Sequence, residues 1–185
     1  MASNMKKYIL TAVTLGLIAA GSALLIAGAN IVTKGPIGEN EQKRINNGLV
    51  DIFDQTVLGE ETDLISDKDI DYISVSYKVT DESNALIGYA FRTDGFNNYG
   101  KISLIIGFNT NCVYKGLSTI ANEQSFATDL KKNYISLIEN GNQTIEDVSV
   151  VCGATYGATL VRDMVTNAGK AAIALDAAIK GANNG

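Results

Sequence analysis

Ile73-Ser74-Val75-Ser76-Tyr77-Lys78-Val79, then Asp81-Glu82-Ser83-Asn84, then Leu86-Ile87-Gly88-Tyr89-Ala90-Phe91-Arg92 is the stretch that decides the fold class. The first run alternates apolar and polar residues, the period of a strand with one buried face. The polar quartet is turn chemistry, and the run after it is a second strand, so the two are expected to pair antiparallel. Asp94-Gly95 and Asn97-Asn98 mark a loop. Lys101–Phe108 is expected to be a third strand, with a tight turn at Asn109–Asn111 and a fourth strand over Val113–Ile120. Upstream, Gly35-Pro36 is a break, after which Glu39–Phe53 reads as an amphipathic helix with Ile45, Leu49, Ile52 and Phe53 on one side. Thr56–Asp71 is acidic and reads as a loop. Downstream, Phe126–Glu139 has helical spacing, with Leu130, Tyr134, Leu137 and Ile138 inward. Val148–Cys152 reads as a short apolar strand. Thr159–Ala182 reads as a long helix, with Leu160, Val161, Met164, Val165, Ala168, Ala172, Leu175 and Ile179 at a 3.6-residue period. Helix, antiparallel strands, helix, strand, helix makes residues 35–185 one α+β domain, an antiparallel sheet packed by helices.

Residues 1–34 have another character. No charged residue stands between Tyr8 and Thr33, and the apolar run from Ile9 to Ala29 reaches the roughly 20 residues that a helix needs to cross a bilayer. Lys6 and Lys7 precede it and Glu39 and Glu41 follow Lys34. The positive-inside rule therefore puts the N-terminus in the cytoplasm and residues 35–185 on the extracytoplasmic side. Ala27-Gly28-Ala29 also has the small-x-small form of a signal-peptide cleavage site, so removal of the segment is the competing reading. A helix buried in a soluble protein is a third reading, opposed by the lack of any polar face. Gly16, Gly21 and Gly28 give small faces that could pack on other membrane helices, although glycine is common in such helices anyway.

Composition narrows function. With 15 basic against 20 acidic residues and a formal charge of −5, the chain has no footprint for nucleic acid. It contains no histidine, which removes Ser-His-Asp and Cys-His catalysis and nearly every zinc-enzyme site. Its two cysteines, Cys112 and Cys152, cannot hold an iron–sulfur cluster within one chain. They could pair in an oxidising compartment or remain buried thiols. Glu60, Glu61, Asp67, Asp69 and Asp71 form an acidic patch that could bind a cation; without calcium-loop spacing a solvated loop is the preferred reading, and no metal site is expected. Asn142-Gln143-Thr144 matches a glycosylation sequon that decides nothing.

The segment Val150-Val151-Cys152-Gly153-Ala154-Thr155-Tyr156-Gly157-Ala158-Thr159 joins the expected last strand to the expected long helix. Unpaired N–H groups and the dipole at a helix start attract an anion. Gly153 and Gly157 let backbone approach closely, and Thr155 supplies a hydroxyl, so a phosphate could be bound there or esterified. Close packing or a helix cap would use the same small residues.

At these residues the chain resembles the G subunit of the Rnf electron-transport complex and the related C subunit of the sodium-translocating NADH:quinone reductase, of the FMN-binding domain family. Three stretches carry the likeness, in family order over almost the whole chain. The first is Ala27-Gly28-Ala29-Asn30-Ile31-Val32-Thr33-Lys34-Gly35-Pro36-Ile37, continuing to Phe53. The second is Gly88-Tyr89-Ala90-Phe91 with Gly100–Phe108, and the third is Cys152-Gly153-Ala154-Thr155 with Val161, Asp163 and Val165. The resemblance implies FMN joined by a phosphoester to Thr155, placed there by a separate flavin transferase, with Cys152, Gly153, Ala154 and Tyr156 around it. It also implies a non-pumping redox subunit of an ion-translocating ferredoxin:NAD oxidoreductase in a bacterial membrane, beside other membrane subunits. No residue of the chain is expected to be catalytic in its own right. The chain departs from the family pattern at three places: Cys152 stands for Ser or Thr, Ser149 for a frequent Asp, and Glu123-Gln124-Ser125-Phe126-Ala127-Thr128 for a Pro-Gly loop. These departures keep open a flavin-free structural or assembly subunit of the same complex; a free-standing membrane flavoprotein is the other alternative. Tyr89, Phe91, Phe96, Tyr99 and Tyr156 are aromatics that could stack on the flavin ring or fill the core.

Overall fold

The computed structural model describes residues 13–16, 19, 20, 22, 40–54, 57–63, 70–143 and 145–182. The chain divides into two units, Met1–Gln42 and Lys43–Gly185. In the first, residues 13–16, 19, 20 and 22 are helical. Most of the expected span over 1–34 lies outside the described residues, and among those described no helix is long and apolar enough to cross a membrane. The expected domain boundary at 34/35 also falls outside them.

The second unit is the α+β domain that the alternating runs predict. A helix over 40–53, α1, of which residues 43–53 belong to this unit, leads into five strands: β1 (Leu58–Thr62), β2 (Ile73–Thr80), β3 (Leu86–Asn97), β4 (Gly100–Asn109) and β5 (Tyr114–Asn122). They form one antiparallel meander in the order β1-β2-β3-β4-β5. Helix α2 follows in three pieces: Ala127–Leu130, a π-helical turn Lys131–Ile135, and Ser136–Ile138. The chain ends in α3 (Thr155–Ala182).

Both faces of the sheet are covered, which explains why β4 is buried almost throughout instead of alternating. Ile102, Leu104, Ile106 and Phe108 pack with Leu130, Tyr134, Val161, Met164 and Ala168 under α2 and α3. Ile105, from the same strand, faces the other way into Ile45, Leu49, Ile52 and Phe53 of α1. A Cβ on Gly107 would lie 2.5 Å from Ile52 and one on Gly88 2.7 Å from Phe53, so the sheet is glycine-bare where α1 sits closest.

Four expectations are corrected. Leu58–Thr62, read as loop, is an edge strand paired Leu58 to Thr80 and Thr62 to Ser76; its Glu60 and Glu61 are the charges that an exposed sheet edge tolerates. The second strand does not stop at Arg92 but runs through Asp94-Gly95 to Asn97. There the Asp94 carboxylate accepts hydrogen bonds from Ser74 Oγ (2.7 Å) and Ser103 Oγ, and a Cβ on Gly95 would collide with Met164 and Leu160. Leu137 is exposed while Ile135 is buried; the wider π turn before them rotates the helix, so a regular 3.6 period misassigns its inner face. Val148–Cys152 is not a strand, for a reason that lies in the site.

Candidate functional site

Thr155 is the first residue of α3, one turn earlier than the helical period predicts. Ala154 precedes it and is buried. An alanine at the cap position has no oxygen to accept from the helix start. The first i to i−4 bond runs from Ala158 N–H to the Ala154 carbonyl, 3.0 Å. The N–H groups of Thr155, Tyr156 and Gly157 come before it and have no carbonyl within the helix to meet. Thr155 is half-buried, and its carbonyl accepts a bond from Thr159 Oγ1, 2.9 Å.

The approach to this helix start is held by side chains, not by a sheet. Arg162 donates from Nη2 to the carbonyls of Ile145 (3.0 Å) and Val148 (2.5 Å). Those carbonyls are thereby engaged, and among the described residues no strand lies beside Val148–Cys152 to complete a ladder; tertiary contacts override its β propensity. Asn133, presented by the π turn, donates from Nδ2 to the Cys152 carbonyl at 3.0 Å. Gly153 then turns the chain with φ +84°, a left-handed conformation natural to glycine, and nothing lies within 4 Å of where its Cβ would be. Conformation, not space, explains this glycine. Beneath the loop Tyr134 is fully buried beside Arg162. Burial pushes its phenol pKa up, and the guanidinium pulls it part of the way back.

A cavity of about 230 Å³ opens at the helix start, lined by Tyr99, Gln124, Phe126, Leu130 and the Gly153–Gly157 turn. Its rim is aromatic. Tyr99 stacks on Tyr156 with ring centroids 5.3 Å apart, and Phe126 lies 6.0 Å from Tyr99. These rings are exposed rather than core: Tyr156 is 68% accessible, Phe126 50%, and nearby in sequence Phe96 on the β3–β4 hairpin 82%. Asn97 donates from Nδ2 to the Tyr156 carbonyl at 3.2 Å, which ties that hairpin to the first turn of α3.

The expected site residues Cys152, Gly153, Ala154, Thr155 and Tyr156 are thus contiguous, and the last four line the cavity. Cys152 stands just outside it, half-buried, contributing its carbonyl to the loop's support. Of the aromatics weighed for stacking, Tyr89 and Phe91 are buried core residues and unavailable, while Phe96, Tyr99 and Tyr156 are exposed or partly so. Asn133 and Arg162 escape sequence reading, while Gln124 and Phe126 were visible only as part of the Glu123–Thr128 stretch that stands where the resembled family has a Pro-Gly loop. Of the acidic stretch, Asp67 and Asp69 lie outside the described residues, and among those described no cluster could hold a metal ion. The two cysteines are free thiols.

The chain matches no protein-family profile and no curated protein.

The arrangement suits an anion beside a planar ring. Among the described residues the first N–H groups of α3 have no backbone acceptor, Thr155 lines the same cavity, and aromatic residues border it. The cavity is smaller than the roughly 300–1,000 Å³ of sites that enclose a whole cofactor, so a flavin nucleotide would be seated in part and exposed in part.

Proposed function

We propose that this chain is a membrane-anchored electron-transfer subunit of an Rnf-like, ion-translocating oxidoreductase complex, carrying FMN on Thr155 through a phosphoester bond. The observation that carries the reading is Thr155 itself. It is a half-buried, hydroxyl-bearing residue, the first of a 28-residue helix preceded by an alanine, and it lines an aromatic-walled cavity. A helix start of that kind stabilises a phosphate anion next to the residue that would carry it. FMN, when attached, would supply the redox chemistry. The chain's own residues do three other things. Gly153 and Ala154 shape the backbone around the phosphate. Asn133 and Arg162 hold the preceding loop so that the helix start keeps one geometry. Tyr99, Tyr156 and Phe126 offer ring faces for stacking and leave one side of the site open to a redox partner.

In this reading residues 1–34 anchor the chain, with residues 35–185 on the extracytoplasmic face of a bacterial membrane. Other membrane subunits pass electrons to and from the flavin, and a flavin transferase installs it. The chain conducts no ions. One helix without charged residues between Tyr8 and Thr33 offers no path for them.

A flavin-free structural subunit of the same complex is the second reading, favoured by Cys152 and Ser149 at positions where the family it resembles has Ser or Thr and Asp. Intact mass of the chain from its native membrane separates the two. A gain of about 440 Da, one FMN less water, that is absent from Thr155→Ala supports the covalent carrier. An unmodified mass in both chains rejects it and leaves the structural subunit. The same spectrum reports whether the N-terminal segment has been removed.

A further inference from the structure

Gln124 is a polar side chain in the wrong place for a merely structural role. It is 94% buried, with 6% of its surface accessible, yet it lines the cavity at the start of α3. Its Nε2 donates to the Gly100 carbonyl, and since a carbonyl can only accept, that bond fixes which way the amide faces. Oε1 is therefore turned toward α3, where it lies 3.4 Å from the point that a Cβ on Gly157 would occupy. Among the described residues nothing donates to it. Oε1 is thus an open acceptor on the cavity wall, where a ligand or water can supply the donor.

The phosphate cannot be that ligand, because the phosphodiester that joins FMN to Thr155, a monoanion at neutral pH, brings only acceptors. The donors at the helix start serve the phosphate; Gln124 Oε1 serves something else. The other surroundings of Oε1 are the aromatic rim and Leu130, which favour a flat, largely apolar group over a hydrated sugar chain. We infer that Gln124 accepts a hydrogen bond from a ring N–H of the bound group, so that the cavity selects a planar heteroaromatic carrying an imide N–H. This rests on the flavin reading above and adds to it which part of the flavin enters the cavity: the imide edge of the ring, with Gln124 as the residue that recognises it.

The test uses the full chain as Thr155→Ala, which leaves the cavity free of attached flavin, and two probes that differ by one methyl group. Lumiflavin carries the imide N–H; 3-methyllumiflavin has it replaced. Equilibrium dialysis is expected to show lumiflavin bound at least tenfold more tightly, because the methyl removes the donor and crowds Oε1. In Thr155→Ala/Gln124→Met, with folding checked by thermal unfolding, the two probes should bind alike. Equal affinity of the probes in Thr155→Ala overturns the inference without needing the second variant, and so does a preference that survives Gln124→Met. Failure of both probes to bind also overturns it. If the native chain nonetheless carries the flavin mass, attachment at Thr155 stands and only the role of Gln124 falls; if it carries none, both fall.

Discussion

Asp94 illustrates how much one residue can hide from a sequence reading. Beside a glycine it is loop chemistry, but in the fold it lies within β3 because its charge is fully engaged. Burial raises its pKa, but hydrogen bonds from Ser103 and Ser74 and the charges of Arg92 and Lys101 (each 3.3 Å away) outweigh that and hold it below the usual value. A carboxylate depressed in the folded state adds stability above its unfolded pKa of about 3.9, and that contribution is lost as pH falls through the folded value. Asp94→Asn is therefore expected to cost about 1–2 kcal/mol at pH 7 in denaturant unfolding, with the gap to the native chain narrowing steadily as pH falls below the unfolded aspartate value. A gap that stays constant over that whole fall would mean that the residue acts by shape alone. Thr155 is the opposite case. Its place at the start of the long helix was legible from Gly153, Gly157 and a hydroxyl, whereas the burial of Gln124 beside the same cavity was not, because only tertiary packing buries it.

At the level of elements, the strands with clean alternation and the long helix were legible because a period of 2 or 3.6 is a local property. What was not legible depended on partners. Val148–Cys152 has strand composition but donates its geometry to Arg162, fourteen residues onward from Val148. Arg162→Ala should leave two carbonyls without their donor and cost about 1–3 kcal/mol. Hydrogen exchange should quicken over residues 145–154 and not in β3 or β4. Arg162→Lys should restore only part of that protection, since a point charge cannot serve two carbonyls as a planar fork does. The β3–β4 hairpin is the second element on which the site depends. Asn97 pairs with Gly100 across a two-residue loop, and Tyr99 stands at its tip. Gly100 has φ +132°, and a Cβ there would lie 2.2 Å from the Glu123 carbonyl oxygen. Gly100→Ala is expected to lower stability by about 2 kcal/mol or more and to disturb Tyr99 and Gln124 together. A near-neutral result in thermal unfolding would contradict that packing.

On the scale of the whole domain, α3 acts as a ruler. Its 28 residues span about 42 Å. Cys152 precedes its first turn, while Cys112 is near enough to Asp176, twenty-one residues into the helix, for that carboxylate to raise its pKa, although burial raises it more. The two sulfurs thus belong to opposite ends of the domain, a separation no spacing in the sequence discloses. Maleimide labelling of the denatured, unreduced chain is expected to add two equivalents; zero would show a disulfide and a different fold. The global order of layers was readable, since every strand but β1 announced itself, but which face each helix covers was not, because β4 is apolar on both sides. One consequence of the stacked pair at the cavity mouth is optical. The chain has no tryptophan, so its near-ultraviolet emission comes from eight tyrosines, two of which, Tyr99 and Tyr156, lie face to face on the rim. Any chromophore lodged against them would dim that emission by energy transfer, giving the native protein a built-in reporter of occupancy that needs no dye and no added label.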